Sequence, residues 1–365
     1  MEIIWITENY YPNQGGMAQS CDRIVNGLRK AGNIVHLLHF SNRHPKILTQ
    51  NQWNGNYWAI PITENYPHAL QIAYQILEKN VKKNEILVAF GGFLPILCIR
   101  TYSIWLNLPY FVCIRGNDFD VAIFHYQRKA ILLDALNHAQ KIITNTSNKA
   151  LKINKLIQCE KAIFIPNGIE EEWRFSLYEQ DWAYHYQKKY RPRKILGMFG
   201  QLKEKKGTLF LLDAIAQAHL NEHFHMIIAG ETDENVLQFL DNQNFSYEKL
   251  DFIERYALIK YYLACDWIAI PSFYDGMPNV LLEAMALGTP VLASAVDGMQ
   301  DVIIHEQNGL LFQNLNASDL ILQLQKILDM QLPEYENFKK NAEITARNQF
   351  TLQNEIQQFM KVLKI

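Results

Sequence analysis

The chain has 365 residues, a formal net charge of −2 and 49% hydrophobic residues, a length of about two domains with a core each and a balance that excludes a basic nucleic-acid binder. Its five cysteines (Cys21, Cys98, Cys113, Cys159 and Cys265) are scattered without a CxxC, which excludes a disulfide frame or zinc site and fits a reducing cytoplasm. The opening MEIIWITE is acidic and strand-like rather than a signal peptide. The longest apolar region, 86–99, is cut by Gly91-Gly92 and Pro95 and falls short of the roughly 20 residues that span a bilayer, so a soluble chain, at most peripheral to a membrane, is expected.

Residues 3–7 read as a strand, 8–16 as a loop ending Gln14-Gly15-Gly16, 17–31 as an amphipathic helix closed by Gly32, and 34–40 as a second strand. That order opens a doubly wound sheet. The turn lacks GxGxxG, and its Gly pair suits a tight bend as readily as close approach to a ligand. Residues 41–61 are polar and aromatic without a period and read as a surface excursion. A helix at 67–81, a strand at 85–90 and, after Gly91-Gly92, a helix to about 106 follow. The strand at 110–114 ends in Arg115-Gly116-Asn117-Asp118. Arg115 can pair with phosphate or carboxylate and Asp118 can accept from hydroxyls; an Asx turn with a salt bridge is the structural alternative.

A helix at 124–139 and a strand at 141–144 lead to 148–157, a basic amphipathic segment with Lys149, Lys152 and Lys155. Its default reading is a solvated face, its alternative a contact with anionic lipid. Residues 162–165 run into Pro166-Asn167-Gly168, a turn and a natural boundary. Residues 169–193 read as a linker with a short helix.

The second half restarts the theme with a strand at 195–199, the loop Gly200-Gln201-Leu202-Lys203-Glu204-Lys205-Lys206-Gly207 and a helix at 208–219 capped near Thr208. Lys206 stands at the mouth of that helix, where a point charge suits phosphate. A strand at 225–229 ends in Gly230-Glu231; a strand at 250–253 and a helix at 257–265 follow. Residues 267–270 form an unbroken apolar run, as a strand buried on both faces does. Residues 271–276 break it, Pro278 fits a first helical turn, Gly288 fits just past the helix end, and 291–293 give the next strand. Asp275 lies before this helix and Glu283 inside it, both toward the carboxyl edge where open α/β sheets bind ligands. Gly276, Met277, Pro278, Asn279 and Val280 line the loop and helix start, a cradle for an anion. Glu283 sits in the apolar run Val280-Leu281-Leu282-Glu283-Ala284-Met285, and a charge there needs a partner. The loop 297–301, a short strand at 309–312 and helices at 317–330, 336–349 and 352–363 complete the chain.

Asp275-x7-Glu283 followed by Ala284-Met285-Ala286-x-Gly288-x-Pro290-Val291 resembles the signature of retaining GT-B glycosyltransferases of the family 4 kind (glycosyl transferases group 1), with Asp275 in place of the first of two glutamates. The resemblance implies an α/β protein of two Rossmann-like, doubly wound domains facing across a cleft: an acceptor-side domain at 1–168, a linker at 169–193, a nucleotide-sugar domain at 194–349, and a terminal helix at 350–365 packing back on the first domain. It implies a metal-independent transferase with no cofactor, moving sugar from a UDP- or GDP-sugar to a glycan or lipid-linked acceptor in surface polysaccharide or lipopolysaccharide synthesis, in the cytoplasm or against the inner membrane surface.

The residue roles it implies are these. Lys206 clamps the donor diphosphate, with Gln201 where the family has an arginine; Arg115, standing where the family often has a histidine, is the candidate to compensate. Glu283 accepts from both hydroxyls of the ribose, Asp275 orients the donor sugar, and Asp118 positions acceptor or sugar. Gly16, Gly200 and Gly230 mark loops that approach the donor, and Gly298 and Asp301 stand nearest a further Gly-Gly-x-x-Glu element. The alternatives are a nucleotide-sugar epimerase of the two-Rossmann type, acting on donor alone, and a non-catalytic nucleotide-sugar-binding subunit. A glycosidase is excluded because its carboxylates must flank a glycosidic bond.

Overall fold

The computed structural model describes residues 1–13, 15–62, 65–202, 204–251 and 253–364; Gln14, Lys203 and Phe252 of the loops and strand expected above lie outside them. The chain divides into two compact units, 1–167 with 352–365, and 168–351.

Unit 1 holds β1 (Glu2–Thr7), β2 (Ile34–Ser41), β3 (Leu48–Gln52), β4 (Gly55–Pro61), β5 (Ile86–Phe90), β6 (Tyr110–Ile114), β7 (Ile142–Thr144) and β8 (Ala162–Phe164). Their order is β3-β4-β2-β1-β5-β6-β7-β8, parallel except for the β3–β4 pair. The strands are apolar on both faces because both faces are covered: Ile4 and Ile6 enter one core with Leu38 and Leu87, while Ile3 and Trp5 enter the other with Phe90. The helix Leu352–Leu363 closes this second core with Ile356, Phe359 and Leu363, and Phe359 lies 6.1 Å from Trp5 between ring centroids. The chain winds outward from β1 to β4 and then returns to the other side of β1 at β5, so the switch point of this sheet lies between β1 and β5.

Unit 2 holds β9 (Lys194–Phe199), β10 (Phe224–Ala229), β11 (Ser246–Leu250), β12 (Trp267–Ile270), β13 (Val291–Ser294) and β14 (Leu310–Phe312), in the order β11-β10-β9-β12-β13-β14 and parallel throughout. Its switch point lies between β9 and β12, which sets the loops after those two strands side by side. Where the chain enters and leaves this unit, Ile169 bridges Thr351 and its N–H donates to the Phe350 carbonyl at 2.7 Å.

Three expectations change. Residues 41–61 are not an excursion: β3 and β4 form a hairpin closed by the pair Gln52 and Gly55, with Asn54 in its two-residue turn at positive φ (53°), and β4 buries Tyr57, Trp58, Ala59 and Ile60. Residues 169–193 cluster with unit 2 and contain the helix Leu177–Tyr190, opened by a capping box of Ser176 and Glu179. The strand expected at 250–253 lies earlier, as β11.

Candidate active site

Each half of the unit 2 site comes from a loop at the switch point. After β9, Gly200 (φ 112°) and Gly207 (φ 66°) bound the first loop. Gly207 is the N-cap of the helix Thr208–Gln217, the place expected for Thr208. A Cβ on Gly207 would stand 2.0 Å from the Pro271 carbonyl oxygen, so the loops after β9 and β12 touch backbone to backbone there. The Phe273 N–H donates to the Lys205 carbonyl at 3.0 Å, a second tie between them. This contact delivers Lys206 to Asp275, and the two side chains pair directly, ammonium to carboxylate. The other Asp275 oxygen accepts the Gly276 N–H at 3.0 Å, which fixes the carboxylate on its own loop.

The helix Asn279–Ala286 starts one residue later than expected, with Pro278 as its N-cap. Its first turn faces Gly200: Val280 Cγ2 is 3.9 Å from where a Gly200 Cβ would be. Gly230, the residue after β10, lies against Gly200, whose N–H donates to the Ala229 carbonyl at 2.9 Å. Gly298 lies in the short helix Asp297–Gln300, and its Cβ position is 2.4 Å from the Gly276 oxygen; no side chain fits there. Gly200, Gly230, Gly276, Met277, Pro278, Asn279, Val280, Lys206 and Asp275 are thus one neighbourhood. Gln201 is exposed beside it.

Glu283 is 4% exposed and is held by partners the sequence reading did not name. Arg255 Nε donates to Glu283 Oε1 at 2.9 Å, and Arg255 Nη2 lies 2.8 Å from the same oxygen. The Tyr262 hydroxyl donates to Oε2 at 2.7 Å. Arg255 also grips Glu170, Nη1 to Oε1 at 2.6 Å and Nη2 to Oε2 at 3.1 Å, and its guanidinium lies 5.1 Å from the Trp173 ring. Burial opposes the Arg255 charge, but Glu283 and Glu170 outweigh it and its pKa moves up from the usual arginine range. Burial, and then the Glu283 charge, raise the Tyr262 pKa well above the ordinary phenol value, so the hydroxyl stays a donor. A carboxylate offers about four lone-pair positions. Arg255 Nε takes one of them on Oε1, with Nη2 in ion-pair contact, and Tyr262 takes one on Oε2. The only sequence signal for these partners is the charge of Glu283 inside an apolar run.

Unit 1 places its candidates differently. Arg115 does not reach out as a diphosphate ligand: it is 5% exposed and turned inward, with Nη1 donating to Asn167 Oδ1 at 2.9 Å and Nη2 3.7 Å from Glu355 Oε1. Its guanidinium lies 5.4 Å from the Phe90 ring and 5.2 Å from the Phe359 ring. Asp118 accepts the N–H groups of Arg115 at 3.1 Å and Gly116 at 2.6 Å, the turn-shaping role. Lys149 is no part of a lipid-facing stripe: it is 2% exposed, pairs with Asp120 at 2.8 Å and donates to the Gly116 carbonyl at 3.0 Å. Gly16 opens the helix Gly16–Lys30 at the end of β1. A residue the sequence reading passed over, Glu8, caps the helix Phe93–Leu106 by accepting the Leu94 N–H at 2.6 Å and the Phe93 N–H at 3.3 Å; burial raises its pKa despite those bonds. Among the described residues no helix is long and apolar enough to cross a membrane.

Residues 185–345 match the family described as Glycosyl transferases group 1. An uncharacterised glycosyltransferase of Methanocaldococcus jannaschii is 27% identical over 398 aligned positions, covering 100% of this chain and 98% of that protein. Among solved structures, sucrose-phosphate synthase from Thermosynechococcus elongatus superposes with a TM-score of 0.82 at 17% identity, over 99% of this chain and 98% of that one. Anabaena HepE, in complex with UDP and glucose, gives 0.81 at 16% identity over 100% and 99%. At these identities the structural likeness is one of fold, the two parallel-sheet domains of the GT-B class.

Proposed function

We propose, from the match of residues 185–345 to the glycosyl transferases group 1 and the likeness of the whole chain to an uncharacterised glycosyltransferase, that the protein is a glycosyltransferase moving a sugar from a nucleoside-diphosphate donor, UDP- or GDP-linked, to a glycan or glycolipid acceptor with retention of the anomeric configuration. The carrying observation is the meeting of Lys206 and Asp275 at the switch point of unit 2, beside the start of the helix that carries Glu283. A diphosphate and the sugar it bears are one bond apart. A cation for the first and a hydroxyl acceptor for the second must stand this close.

In the proposed reaction, the bond from the anomeric carbon to the β-phosphate oxygen breaks and negative charge grows on that oxygen, while the acceptor hydroxyl oxygen bonds the same carbon and gives its proton to the departing diphosphate. Lys206 and the N–H groups at the start of Asn279–Ala286 stabilise it in place, without reorganisation; in this reading no metal is required. Asp275 exchanges its contact with Lys206 for a sugar hydroxyl and orients the anomeric carbon, and Glu283 accepts from the ribose. HepE, of the same fold, was solved with UDP and glucose and with UDP-glucose, which favours UDP as the first base to test. Retention, and a place in surface polysaccharide synthesis in the cytoplasm or at the inner membrane face, rest on the resemblance of Asp275-x7-Glu283.

The test is a thermal-shift panel of nucleoside diphosphates and their sugars, followed by product analysis with and without acceptor glycans. Stabilisation by a diphosphate sugar, lost in Lys206→Ala, with an α-configured product from an α-configured donor, is expected. Conversion of the donor sugar in the absence of acceptor means an epimerase instead. Binding without turnover across acceptors means a binding subunit.

A further inference from the structure

The backbone that leads to Asp275 is held at Phe273 from two sides. The Phe273 N–H belongs to the peptide plane before that residue and donates to the Lys205 carbonyl at 3.0 Å, which ties it to the Lys206 loop. The Phe273 carbonyl belongs to the next plane, which continues through Tyr274 to Asp275. It accepts from Asn314 Nδ2 at 2.8 Å. Asn314 lies two residues past β14, the edge strand of the sheet and two strands from β12. A third loop, which carries neither the cation nor the acid, therefore sets the plane that aims the acid.

The mounting of Asn314 is rigid. Residues 313–316 form a turn in which the Asn316 N–H donates to the Gln313 carbonyl at 3.0 Å. The turn is fastened to the start of the helix Ala317–Asp329: the Gln313 N–H donates to Asp319 Oδ2 at 2.6 Å, and Asn316 Oδ1 accepts the Asp319 N–H at 3.1 Å. Leu315 stands in it at φ 59°, a left-handed conformation that is strained for a leucine. Leu315 is 64% exposed, so side-chain packing does not offset the strain. Asn314 Oδ1 is buried without a hydrogen-bond partner, a second cost. Of the two amide atoms only the nitrogen can face a carbonyl oxygen. The turn thus carries a strained residue and an unsatisfied oxygen, and the contact it secures is the one from Nδ2 to Phe273. Strain held in place in this way gathers beside working sites.

We infer that Asn314 is a positioning residue for the donor sugar. By fixing the Phe273 carbonyl it orients the Asp275 carboxylate, while the grip of Lys206 on the diphosphate is left to the loop after β9. The inference rests on the proposed role of Asp275, and adds a residue that touches no part of the donor yet acts on the sugar and not on the nucleotide.

The variants are Asn314→Asp, of nearly the same shape but without the donor, and Asn314→Ala. In the unliganded full chain, peptide-resolved hydrogen exchange over 274–277 should be about fivefold faster in both, the loss of one neutral hydrogen bond, with the helix Thr208–Gln217 unchanged. Turnover is read on UDP-glucose and GDP-mannose as release of nucleoside diphosphate into water, which needs no acceptor. There kcat should fall about tenfold, as misplacement of an orienting group predicts, while calorimetric affinity for UDP or GDP stays at the parent value. Loss of structure would instead move affinity, turnover and melting temperature together. Lys206→Ala and Asp275→Asn test the site reading itself: if Lys206→Ala keeps diphosphate affinity and Asp275→Asn keeps kcat, that reading is wrong and the inference goes with it. If Asp275→Asn lowers kcat and neither Asn314 variant does, the inference alone is overturned. Diphosphate affinity falling in step with turnover in the Asn314 variants overturns it too. If the unaltered protein hydrolyses neither donor, exchange decides alone, and unchanged exchange over 274–277 overturns the inference.

Discussion

Lys206 and Asp275 neutralise one another at the mouth of the helix Thr208–Gln217, so removing either changes the charge offered to a ligand. Replacing Lys206 by alanine deletes the cation that the proposed reaction sets beside the departing phosphate and should lower kcat by about 10²–10³, with an unchanged melting temperature, as measured by initial rates on the donor that the panel identifies. A second expectation concerns Glu85, in unit 1 just before β5. It is 2% exposed and groups with Glu2 and His36 within 4.8 Å; Lys82 pairs with Glu2 at 2.8 Å. The Asn56 N–H donates to His36 Nδ1 at 3.1 Å, so Nε2 carries the ring hydrogen, pointing at Glu2 3.2 Å away, and is no lone pair for a metal. Burial, with Glu2 adding, pushes the Glu85 carboxyl up to about 7. A raised acid favours the folded state while protonated. Its contribution is complete below the unfolded value near 4.5 and is lost as pH climbs through about 7. Glu85→Gln should therefore melt a few degrees above the parent at pH 8.5 and show no such gain at pH 5; parallel curves at both pH values rule this out. At this scale Asp275 and Glu283 were legible because their spacing lies within one loop and helix. Arg255 and Glu170 were not, since a buried acid announces that it needs a partner without saying where in the chain the partner is. Arg115 was misread for a related reason: its place at a strand end fixes its backbone, and only the packing of Phe90 and Phe359 turns the side chain inward.

Elements were easier to read where one physical cause dominated. Strands covered on both faces stand out as apolar runs, and this located β1, β5, β6, β9, β10 and β12 within a residue or so. The β3–β4 hairpin was missed because β3 is mostly exposed and polar, Leu48-Thr49-Gln50-Asn51-Gln52, and therefore has no apolar alternation; the Asn-Gly dipeptide where the turn meets β4 was the available signal. The helix Leu177–Tyr190 was underestimated because its aromatics do not keep to one stripe, although Ser176 and Glu179 spell its start. The joint between the loops after β9 and β12 gives a sharp test. Gly207→Ala adds a Cβ 2.0 Å from a carbonyl oxygen at a positive φ that alanine resists. Either the Lys206 loop or the Asp275 loop must shift, so donor binding should fall more than tenfold and the melting temperature should drop. Unchanged affinity would mean the two loops are not held together through this contact.

At the level of the whole chain, the helix Leu352–Leu363 is an integral wall of unit 1 although it follows unit 2 in sequence. It supplies Ile356, Phe359 and Leu363 to the core, each contributing about 1.5–3 kcal/mol by burial. It also supplies Glu355, 1% exposed, whose carboxylate accepts from Arg23 Nε at 3.0 Å and faces Arg115. Glu355→Ala strips two buried guanidiniums of their acid. Loss of one partner from a buried pair costs about 3–5 kcal/mol, so chemical denaturation should show a midpoint far below that of the parent. Stopping the chain at residue 351 should be worse still, removing Phe359 from against Trp5 and leaving only the helix Gly16–Lys30 from the helices of that core. The two-sheet architecture was legible from the order of strands and helices alone; the interleaving at the chain end was legible only through family likeness, because nothing local distinguishes an amphipathic helix that returns to the first sheet from one that stays on the second.

The bridge between Ile169 and Thr351 has a practical corollary. Residues 168–351 are one uninterrupted stretch whose two ends already touch, so excising them severs no strand and opens no loop. This fragment should be expressible as a free-standing module that still captures a nucleoside diphosphate, and its termini should tolerate ligation into a ring. The remainder has no such independence: it must be rebuilt by splicing 167 to 352 through a short linker.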